Sequence, residues 1–295
     1  APILDEVTAC FVEIAREIMK REKLLIVCQS EEDVRNQLGE IDEERVRFVE
    51  MPTNDTWARD HGGISVFDTF GPTVYDFVFN GWGMKFPAGK DNQITRNLFH
   101  EGIFADRIQP ANMAPFVLEG GSIESDGQGT LMTTAECLLS LNRNEYMQRE
   151  EIENHLKDIF GLSRILWIEN GFLVGDDTDS HVDTLARFCR EDTIAYVQCT
   201  DESDVHYDEL QAMEEEIKAF RQLNGEPYKL IALPMADEVI WEGERLPATH
   251  ANFLIINGAV LLPFYNSPKD EIARKALQEA FPDREIVGIN CLSLI

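Results

Sequence analysis

Helical and strand patterns alternate along the whole chain, and this alternation limits the folds that it can adopt. Residues 4–21 carry apolar side chains at helical spacing, and Leu24–Cys28 is a short apolar run typical of a buried strand. Further helices are predicted at 31–38, 145–160, 208–223 and 269–281, and further strands at 46–51, 165–168, 193–198, 230–233 and 285–289. A hairpin is predicted where Asn257-Gly258 separates two apolar runs. Because no Ser/Gly linker interrupts this order, we predict one compact α/β domain over residues 1–295.

The charge of the chain narrows the choice of partners. The 26 basic and 54 acidic residues leave a formal net charge of −28, which repels phosphate backbones and anionic lipid surfaces. Nucleic acid and membrane are therefore not expected as partners, whereas a field of this sign concentrates small cations. The longest apolar stretch, 253–264, is too short to span a bilayer.

The cysteines indicate the compartment. None of the six is spaced Cys-x-x-Cys, and no Cys/His group has the spacing of a zinc site. Few thiols scattered over a long chain are typical of a reducing cytoplasm. We therefore expect a cytoplasmic protein.

Polar motifs recur at similar intervals. Asp60, Glu119, His181 and Asn252 are separated by 59, 62 and 71 residues. The first two are each followed closely by a pair of glycines, which lets a backbone approach a ligand closely. Such spacing is what a radial repeat would produce if each unit contributed one group to a site.

Each of the first two motifs has a structural and a functional interpretation. Asp60 follows Trp57-Ala58-Arg59, so it either contacts a ligand or forms a structural ion pair with Arg59 while Trp57 packs in the core. Glu119 belongs to residues 118–133, most of which two strands around a polar turn would explain, and it either orients a histidine, holds a cation or is only structural.

The segment Gly175–Asp183 holds the densest group of polar residues. If it is extended, His181 and Asp183 point to the same side, which suits proton transfer near neutral pH. A metal site on the alternating residues Asp177, Asp179, His181 and Asp183 is the competing hypothesis, and a solvated acidic loop is the third. A calcium loop is excluded because its glycine and its terminal glutamate are missing.

The fourth motif, Pro247–Phe253, gives a weaker signal. His250 is typical of a satisfied core or surface histidine, and Asn252 opens an apolar hairpin, where a capping role is the default interpretation.

Taken in order, these motifs resemble those of the agmatine deiminase family, which belongs to the guanidino-group-modifying enzymes together with the bacterial peptidyl-arginine deiminases. The likeness extends over nearly the whole chain. The matching segments are W-A-R-D-x-G at Trp57–Gly62, N-x-W-G-x-K-F at Asn80–Phe86, E-G-G at Glu119–Gly121, G-D-D-T-D-x-H-x-D at Gly175–Asp183, A-N-F-L-I with N-G at Ala251–Gly258, and Phe281–Gly288. The resemblance implies a five-bladed, pseudo-symmetric α/β propeller (the pentein fold), which agrees with the spacing of the polar motifs.

The resemblance also implies roles for individual residues. Asp60 and Asp183 would bind a guanidinium through paired charge-assisted hydrogen bonds. His181 would move protons and Glu119 would orient it. The residues expected to line the substrate pocket are Trp57, Trp82 and Asn252.

One part of the family pattern is expected outside this sequence. The nucleophile of the family is a cysteine in a glycine-rich His-Cys motif, which we expect beyond Ile295, and Cys291 lacks the glycine and histidine neighbours of that motif. The Trp-Pro element that the family carries before its first helix is also not found. We therefore expect the natural domain to extend beyond both ends, and this chain alone to lack the nucleophile.

The expected activity is hydrolysis of agmatine to N-carbamoylputrescine and ammonia, with no metal and no organic cofactor. The cationic substrate agrees with the acidic charge, and the chain is compatible with a homo-oligomer. Deimination of free or peptidyl arginine is the alternative, although residues 80–91 offer lysines and no arginine for a carboxylate. A non-catalytic protein that binds guanidines or polyamines is a third hypothesis, and a metallohydrolase built on Asp177, Asp179 and His181 is a fourth.

Overall fold

Helices and strands alternate in the computed structural model, which describes residues 3–69 and 71–295. The predicted α/β class is therefore confirmed. The helices are α1 (Leu4–Met19), α2 (Glu31–Leu38), α3 (Ala58–His61), α4 (Gly81–Met84), α5 (Ile94–His100), α6 (Ala135–Leu138), α7 (Leu141–Asn144), α8 (Arg149–Phe160), α9 (Val182–Leu185), α10 (Tyr207–Ala219) and α11 (Pro268–Ala280). The strands are β1 (Leu24–Cys28), β2 (Val46–Glu50), β3 (Ile64–Asp68), β4 (Gly71–Val78), β5 (Gln109–Val117), β6 (Ile123–Ser125), β7 (Thr130–Thr134), β8 (Arg164–Ile168), β9 (Ala186–Arg190), β10 (Thr193–Gln198), β11 (Lys229–Pro234), β12 (Val239–Trp241), β13 (Glu244–Leu246), β14 (Leu254–Ile256), β15 (Ala259–Phe264) and β16 (Glu285–Asn290).

One arrangement of strands recurs in the described part of the chain. An antiparallel hairpin is followed by one or more helices and then by a strand that pairs in parallel with the second strand of the hairpin. This arrangement forms the sheets β3-β4-β5, β6-β7-β8, β9-β10-β11 and β14-β15-β16. The pair β1-β2 repeats the parallel half of the unit, with α2 as its connection.

The polar motifs occupy equivalent places in these units. Asp60 and Glu119 each lie four residues before the first strand of a hairpin, His181 lies five residues before β9, and Asn252 lies two residues before β14. The repeat inferred from the sequence is thus a structural repeat, in which each polar group is carried by the segment that leads into a hairpin.

Local sequence explains where the long helices begin and end. In α11, Ser267 and Asp270 form a capping box, and Pro268 occupies the first turn, where its missing N–H costs nothing. The α8 helix ends at Gly161, which adopts the left-handed conformation (φ 64°).

The residues divide into two compact units. The first unit comprises the residues up to Met51 together with Asn170–Asp176 and Thr184–Ile295, and the second comprises Pro52–Glu169 and Asp177–Asp183. In the second unit, β4–β8 and α8 share a core around Leu131 and Leu156, which are 1% and 0% exposed. In the first unit, α1 packs against β14–β16. None of the helices in residues 3–69 and 71–295 has the length and apolarity to cross a membrane.

A buried histidine anchors the segment of the first unit that continues into Asp177. The Nε2 atom of His206 accepts a hydrogen bond from the Val174 backbone N–H at 2.9 Å, so its ring proton is on Nδ1, 2.6 Å from Asp204 Oδ1. Arg245 also contacts Asp204, with Nη2 3.1 Å from Oδ2. Burial would raise the pKa of Asp204, but hydrogen bonds from the His206 backbone, from Arg245 and from the His206 ring lower it to about 2.

This network makes stability dependent on pH. Because the pKa of Asp204 is lower in the folded state than in an unfolded chain, its contribution is complete above about pH 4 and is lost as the pH falls towards 2. We expect Asp204→Asn to lower the free energy of unfolding by about 2 kcal/mol at pH 7. Urea titrations of both proteins at pH 7, 5 and 3.5 measure the difference, which should shrink at the lowest pH.

The matched control is Asp283→Asn, which removes an exposed ion pair with Arg190 in the same unit. We expect this control to change stability by less than about 0.5 kcal/mol at each pH. An Asp204→Asn deficit that is equally large at pH 3.5 and pH 7 would contradict the electrostatic explanation.

Candidate functional site

Asp60 is held by donors from two other segments of the second unit. Its Oδ1 accepts the Gly121 backbone N–H at 3.0 Å, and its Oδ2 accepts the indole N–H of Trp82 at 3.0 Å. The side chain is 11% exposed. Since an ionised carboxylate has about four lone-pair sites, this arrangement fixes Asp60 and leaves acceptor capacity for a ligand.

A left-handed turn brings Trp82 to Asp60. All four residues of α4 have positive φ values, from 56° at Trp82 to 79° at Gly83. The Asn80 side chain accepts the Gly83 N–H at 2.9 Å, and a Cβ atom at Gly81 would lie 2.1 Å from the Phe86 carbonyl oxygen. The N-x-W-G-x-K-F segment therefore has its glycines where the backbone requires them, and Trp82 is 6% exposed.

Gly121 marks the point where three functional groups converge. Gly120–Ser122 forms a short 3₁₀ turn directly after Glu119. A Cβ atom at Gly121 would lie 2.5 Å from His181 Nδ1, 2.6 Å from Asp60 Oδ1 and 3.0 Å from Asp183 Oδ2. These groups thus surround one small volume, with His181 Nδ1 and Asp60 Oδ1 3.5 Å apart.

The segment that carries His181 and Asp183 is not extended, and the sequence-based expectation was wrong in this respect. Asp179 and Ser180 have φ values of 63° and 58°, and Asp183 lies in the single turn of α9. The two side chains still reach the same volume, because the two left-handed residues reverse the chain just before the helical turn. Non-glycine residues in this conformation are uncommon, and they often mark functional sites.

Hydrogen bonds from two neighbouring side chains and one bond within the loop hold this segment. Lys85 Nζ donates to the Asp177 carbonyl at 2.8 Å and to Asp179 Oδ1 at 2.5 Å. Thr134 Oγ1 donates to the Ser180 carbonyl at 2.7 Å. His181 donates its backbone N–H to Thr178 Oγ1 at 3.0 Å. The loop is therefore fixed by its neighbours.

Arg143, which the sequence did not single out, completes the site. Its guanidinium is fully buried, and Nε lies 2.9 and 3.1 Å from the two oxygens of Glu119, which is itself fully buried. Its Nη1 lies 2.6 Å from Asp179 Oδ2, and its Nη2 donates to the Thr178 carbonyl at 2.9 Å. Burial opposes the charge of Arg143, but the adjacent Cys137, Glu119 and Asp179 raise its pKa above the ordinary value.

The only signal for Arg143 in the sequence was its place between two asparagines. Asn144 donates to the Val117 carbonyl and accepts the Val117 N–H, at 2.9 and 3.0 Å, so it ties α7 to the end of β5. The Asn142 carbonyl accepts a hydrogen bond from Asn80 at 2.8 Å. Both asparagines therefore fix the backbone from which Arg143 extends.

The same contacts weaken the metal hypothesis built on alternating acids. Burial would raise the pKa of Asp179, but hydrogen bonds from Lys85 and Arg143 lower it. Both of its oxygens are thus bound to cationic side chains. Ligand atoms of Glu119, Cys137 and His181 lie within 4.8 Å of one another, but both Glu119 oxygens are within hydrogen-bond distance of Arg143. A guanidinium therefore already supplies the positive charge that this cluster would take from a metal.

The sequence-predicted residues divide into those that converge and those that do not. The second unit brings together Asp60, Trp82, Glu119, His181 and Asp183. Trp57 precedes α3 in the same unit, and its side chain is 41% exposed.

Asn252 is an exposed residue of the first unit, beside Ala251 and Phe253, whose carbonyl oxygens accept hydrogen bonds from Arg187. Its place in the pocket stays a prediction.

The chemistry of the converging groups suits a planar cation. Asp60 and Asp183 present carboxylate oxygens around a volume into which the ring of His181 also faces, and His181 is 2% exposed. Carboxylates form their strongest paired hydrogen bonds with guanidinium groups, and a buried imidazole between them can carry a proton.

Comparisons with known proteins match nearly all of the chain. The Porphyromonas-type peptidyl-arginine deiminase family matches residues 1–295. An agmatine deiminase of Pseudomonas aeruginosa is 34% identical over an alignment of 305 positions. The alignment covers 95% of this chain and 81% of that protein.

Two solved structures are also similar. A Porphyromonas gingivalis protein, solved under the provisional name arginine deiminase, is 51% identical with a TM-score of 0.97 over 99% of this chain and 86% of its own. A Cys-to-Ser variant of the Campylobacter jejuni agmatine deiminase, solved with substrate bound, is 40% identical with a TM-score of 0.90 over 98% of this chain and 83% of its own.

Proposed function

We propose that this chain, which belongs to the Porphyromonas-type peptidyl-arginine deiminase family, is an agmatine deiminase, a hydrolase that acts on the C–N bonds of amidines. It would convert agmatine and water to N-carbamoylputrescine, a precursor of putrescine, and ammonia. The observation that carries this proposal is the convergence of Asp60, His181 and Asp183 around Gly121. The similarity to agmatine deiminases over most of the chain supports it.

In the proposed mechanism, Asp60 and Asp183 bind the guanidinium of agmatine and orient its central carbon. A cysteine thiolate attacks that carbon, His181 protonates the departing nitrogen, and ammonia leaves as its C–N bond breaks. His181 then takes a proton from the water that attacks the resulting thiouronium carbon. The C–S bond breaks, which releases the ureido product and restores the thiolate.

The thiolate would come from outside the described residues. Cys10, Cys28, Cys137, Cys189 and Cys199 are buried, and Cys291 Sγ lies 3.8 Å from Cys10 Sγ in the first unit. Burial raises the pKa of the Cys28 and Cys199 thiols, which disfavours their thiolates. The family resemblance supplies the candidate, a cysteine in a motif after Ile295.

Agmatine is favoured over arginine because of Lys85. Arginine carries a carboxylate that agmatine lacks, and a lysine of residues 80–91 would be its natural partner. Of the two lysines in this range, Lys85 is instead bound to Asp179 Oδ1 and to the Asp177 carbonyl, so that only Lys90 is left for such a carboxylate. The provisional arginine deiminase name of the P. gingivalis structure keeps arginine as the second candidate.

The protein made from its complete gene tests the proposal in a ureido-product assay with agmatine, free arginine and a peptidyl-arginine. We expect turnover of agmatine alone. Turnover of arginine in place of agmatine would agree with the proposed mechanism but contradict the proposed substrate. Binding of agmatine without turnover would contradict an enzymatic function and indicate a guanidine-binding protein.

The proposal also covers the fold, the cellular location and the need for cofactors. The recurring hairpin-helix-strand units support a five-bladed α/β propeller that is one deiminase domain over residues 1–295. The six cysteines form no disulfide among the residues that the structure describes, which supports a cytoplasmic location. The arrangement calls for no metal and no organic cofactor.

Removing the charge of Asp60 tests the proposed guanidinium clamp. In Asp60→Asn the side chain keeps its size, but its single oxygen can accept only one of the Trp82 and Gly121 hydrogen bonds, because these two donors meet different oxygens of Asp60. The lost charge-assisted bond should weaken agmatine binding by about 10- to 100-fold, seen as a higher KM or calorimetric Kd. The matched control Asp106→Asn removes an exposed charge from the same unit and should leave both constants unchanged. An unchanged KM and rate in Asp60→Asn would refute the clamp.

A further inference from the structure

We propose that Arg143 is the positioning residue of this site: by binding Glu119, Asp179 and the Thr178 carbonyl at once, its guanidinium fixes His181 in its reactive orientation. This inference rests on the proposed function. It goes further because Arg143 lies behind the groups that meet the substrate and acts on the reaction only through them.

The geometry of Arg143 uses all three guanidinium nitrogens. Nε faces both oxygens of Glu119, Nη1 faces Asp179 Oδ2, and Nη2 faces the Thr178 carbonyl. A planar fork can satisfy these directions together, whereas the single ammonium of a lysine cannot. The requirement is therefore for an arginine, and not only for a positive charge.

The contacts of Arg143 lie at the strained part of the loop. Asp179 and Ser180 are the two left-handed residues that turn the chain towards His181, and such a conformation persists only where the surroundings impose it. Arg143 binds the carbonyl that precedes this turn and the carboxylate within it. Loss of either contact removes one restraint on the backbone before His181, which Lys85 and Thr134 also hold.

Charge balance gives Arg143 a second reason to be buried here. Glu119 is fully buried, and an uncompensated carboxylate at this depth carries a high desolvation cost. Arg143 and Lys85 together balance Glu119 and Asp179, two cations against two anions. Asp60 accepts its hydrogen bonds from the neutral donors Trp82 and Gly121, so these contacts bring no cation to it.

Steady-state kinetics of Arg143→Lys test the inference. A site that still binds agmatine but holds His181 off its reactive orientation should lose about 10²-fold in kcat, with KM changed by less than about 3-fold. The matched control is Arg149→Lys, which alters a two-bond Arg–Glu169 pair on the surface of the same unit and should leave kcat unchanged. A normal kcat in Arg143→Lys overturns the inference, and so does a loss of kcat that only follows the fraction of unfolded protein.

A second readout does not depend on turnover. The imidazole ¹⁵N–¹H signals of His181, identified by their loss in His181→Asn, should move in Arg143→Lys and stay in place in Arg149→Lys. Signals that coincide in the wild type and Arg143→Lys overturn the positioning role. If the wild-type protein does not turn over agmatine, the proposed function fails, while these signals still decide whether Arg143 orients His181.

Discussion

Replacing His181 with alanine is expected to lower turnover of agmatine by about 10²-fold or more, the effect typical of a lost general acid and base. In the proposed mechanism the imidazole acts twice, first by protonating the leaving ammonia and then by taking a proton from water. Its ring is buried, and Nδ1 lies 3.5 Å from Asp60 Oδ1. Because Asp60 and Asp183 remain in the variant, agmatine should still bind, so kcat should fall far more than the affinity.

The comparison needs a histidine that lies outside the site. His100 is an exposed residue at the end of α5 in the same unit, and His100→Ala should keep the wild-type rate. The rate of ureido-product formation and the calorimetric binding of agmatine should be measured on both variants. Their melting temperatures should be measured to confirm that they fold. A near-normal rate in His181→Ala would remove this residue from the chemistry.

Gly121→Ala is expected to have an effect of similar size through a single methyl group. The new Cβ would lie 2.5 Å from His181 Nδ1 and 2.6 Å from Asp60 Oδ1, closer than such atoms approach in real proteins. Asp60 has two hydrogen bonds and the His181 ring is buried, so the methyl group can be accommodated only if these groups are displaced. A displacement of about 1 Å in reacting groups can lower a rate by about 10²-fold, and substrate binding should weaken as well.

Gly89→Ala is the matched control for this substitution. Nothing lies within 4 Å of a Cβ atom at Gly89, and its backbone is not in the left-handed region. This variant should keep wild-type kcat and KM. Wild-type kinetics in Gly121→Ala would show that the three groups do not converge in the working protein as they do in the structure.

The long helices and central strands could be predicted because they bury one apolar face each. The strand Leu24–Cys28 and the helix Glu31–Leu38 have the predicted boundaries, and the hairpin at Asn257-Gly258 is confirmed. Here local pattern and tertiary packing require the same residues. The polar motifs before the hairpins could also be recognised from the sequence, because each of them interrupts an apolar pattern.

Other strands were missed because their sequences do not alternate. β5 contains two prolines, and β9 contains two arginines. In β9, Arg187 is 6% exposed and its guanidinium lies 4.8 Å from the Phe253 ring centroid, an environment that its type does not suggest. The burial of such a side chain cannot be predicted from its own segment, because the residues that surround it are distant in sequence.

The same limit applies to the site. His181 and Asp60 were found because acids and histidines carry recognisable chemistry. Arg143 was missed because its importance comes from partners 24 and 36 residues away, which no local pattern connects. The left-handed residues Asp179 and Ser180 were missed because neither is a glycine.

The placement of polar groups just before each hairpin has a consequence for how such a protein can change. The strand pairing of each hairpin begins only after these short segments, so a substitution within one of them leaves the hydrogen-bond ladder of that hairpin intact. Selection can therefore alter one contributing segment at a time while the scaffold keeps its stability. A family built in this way can diversify the guanidino compounds that it accepts by exchanging a few residues in separate segments.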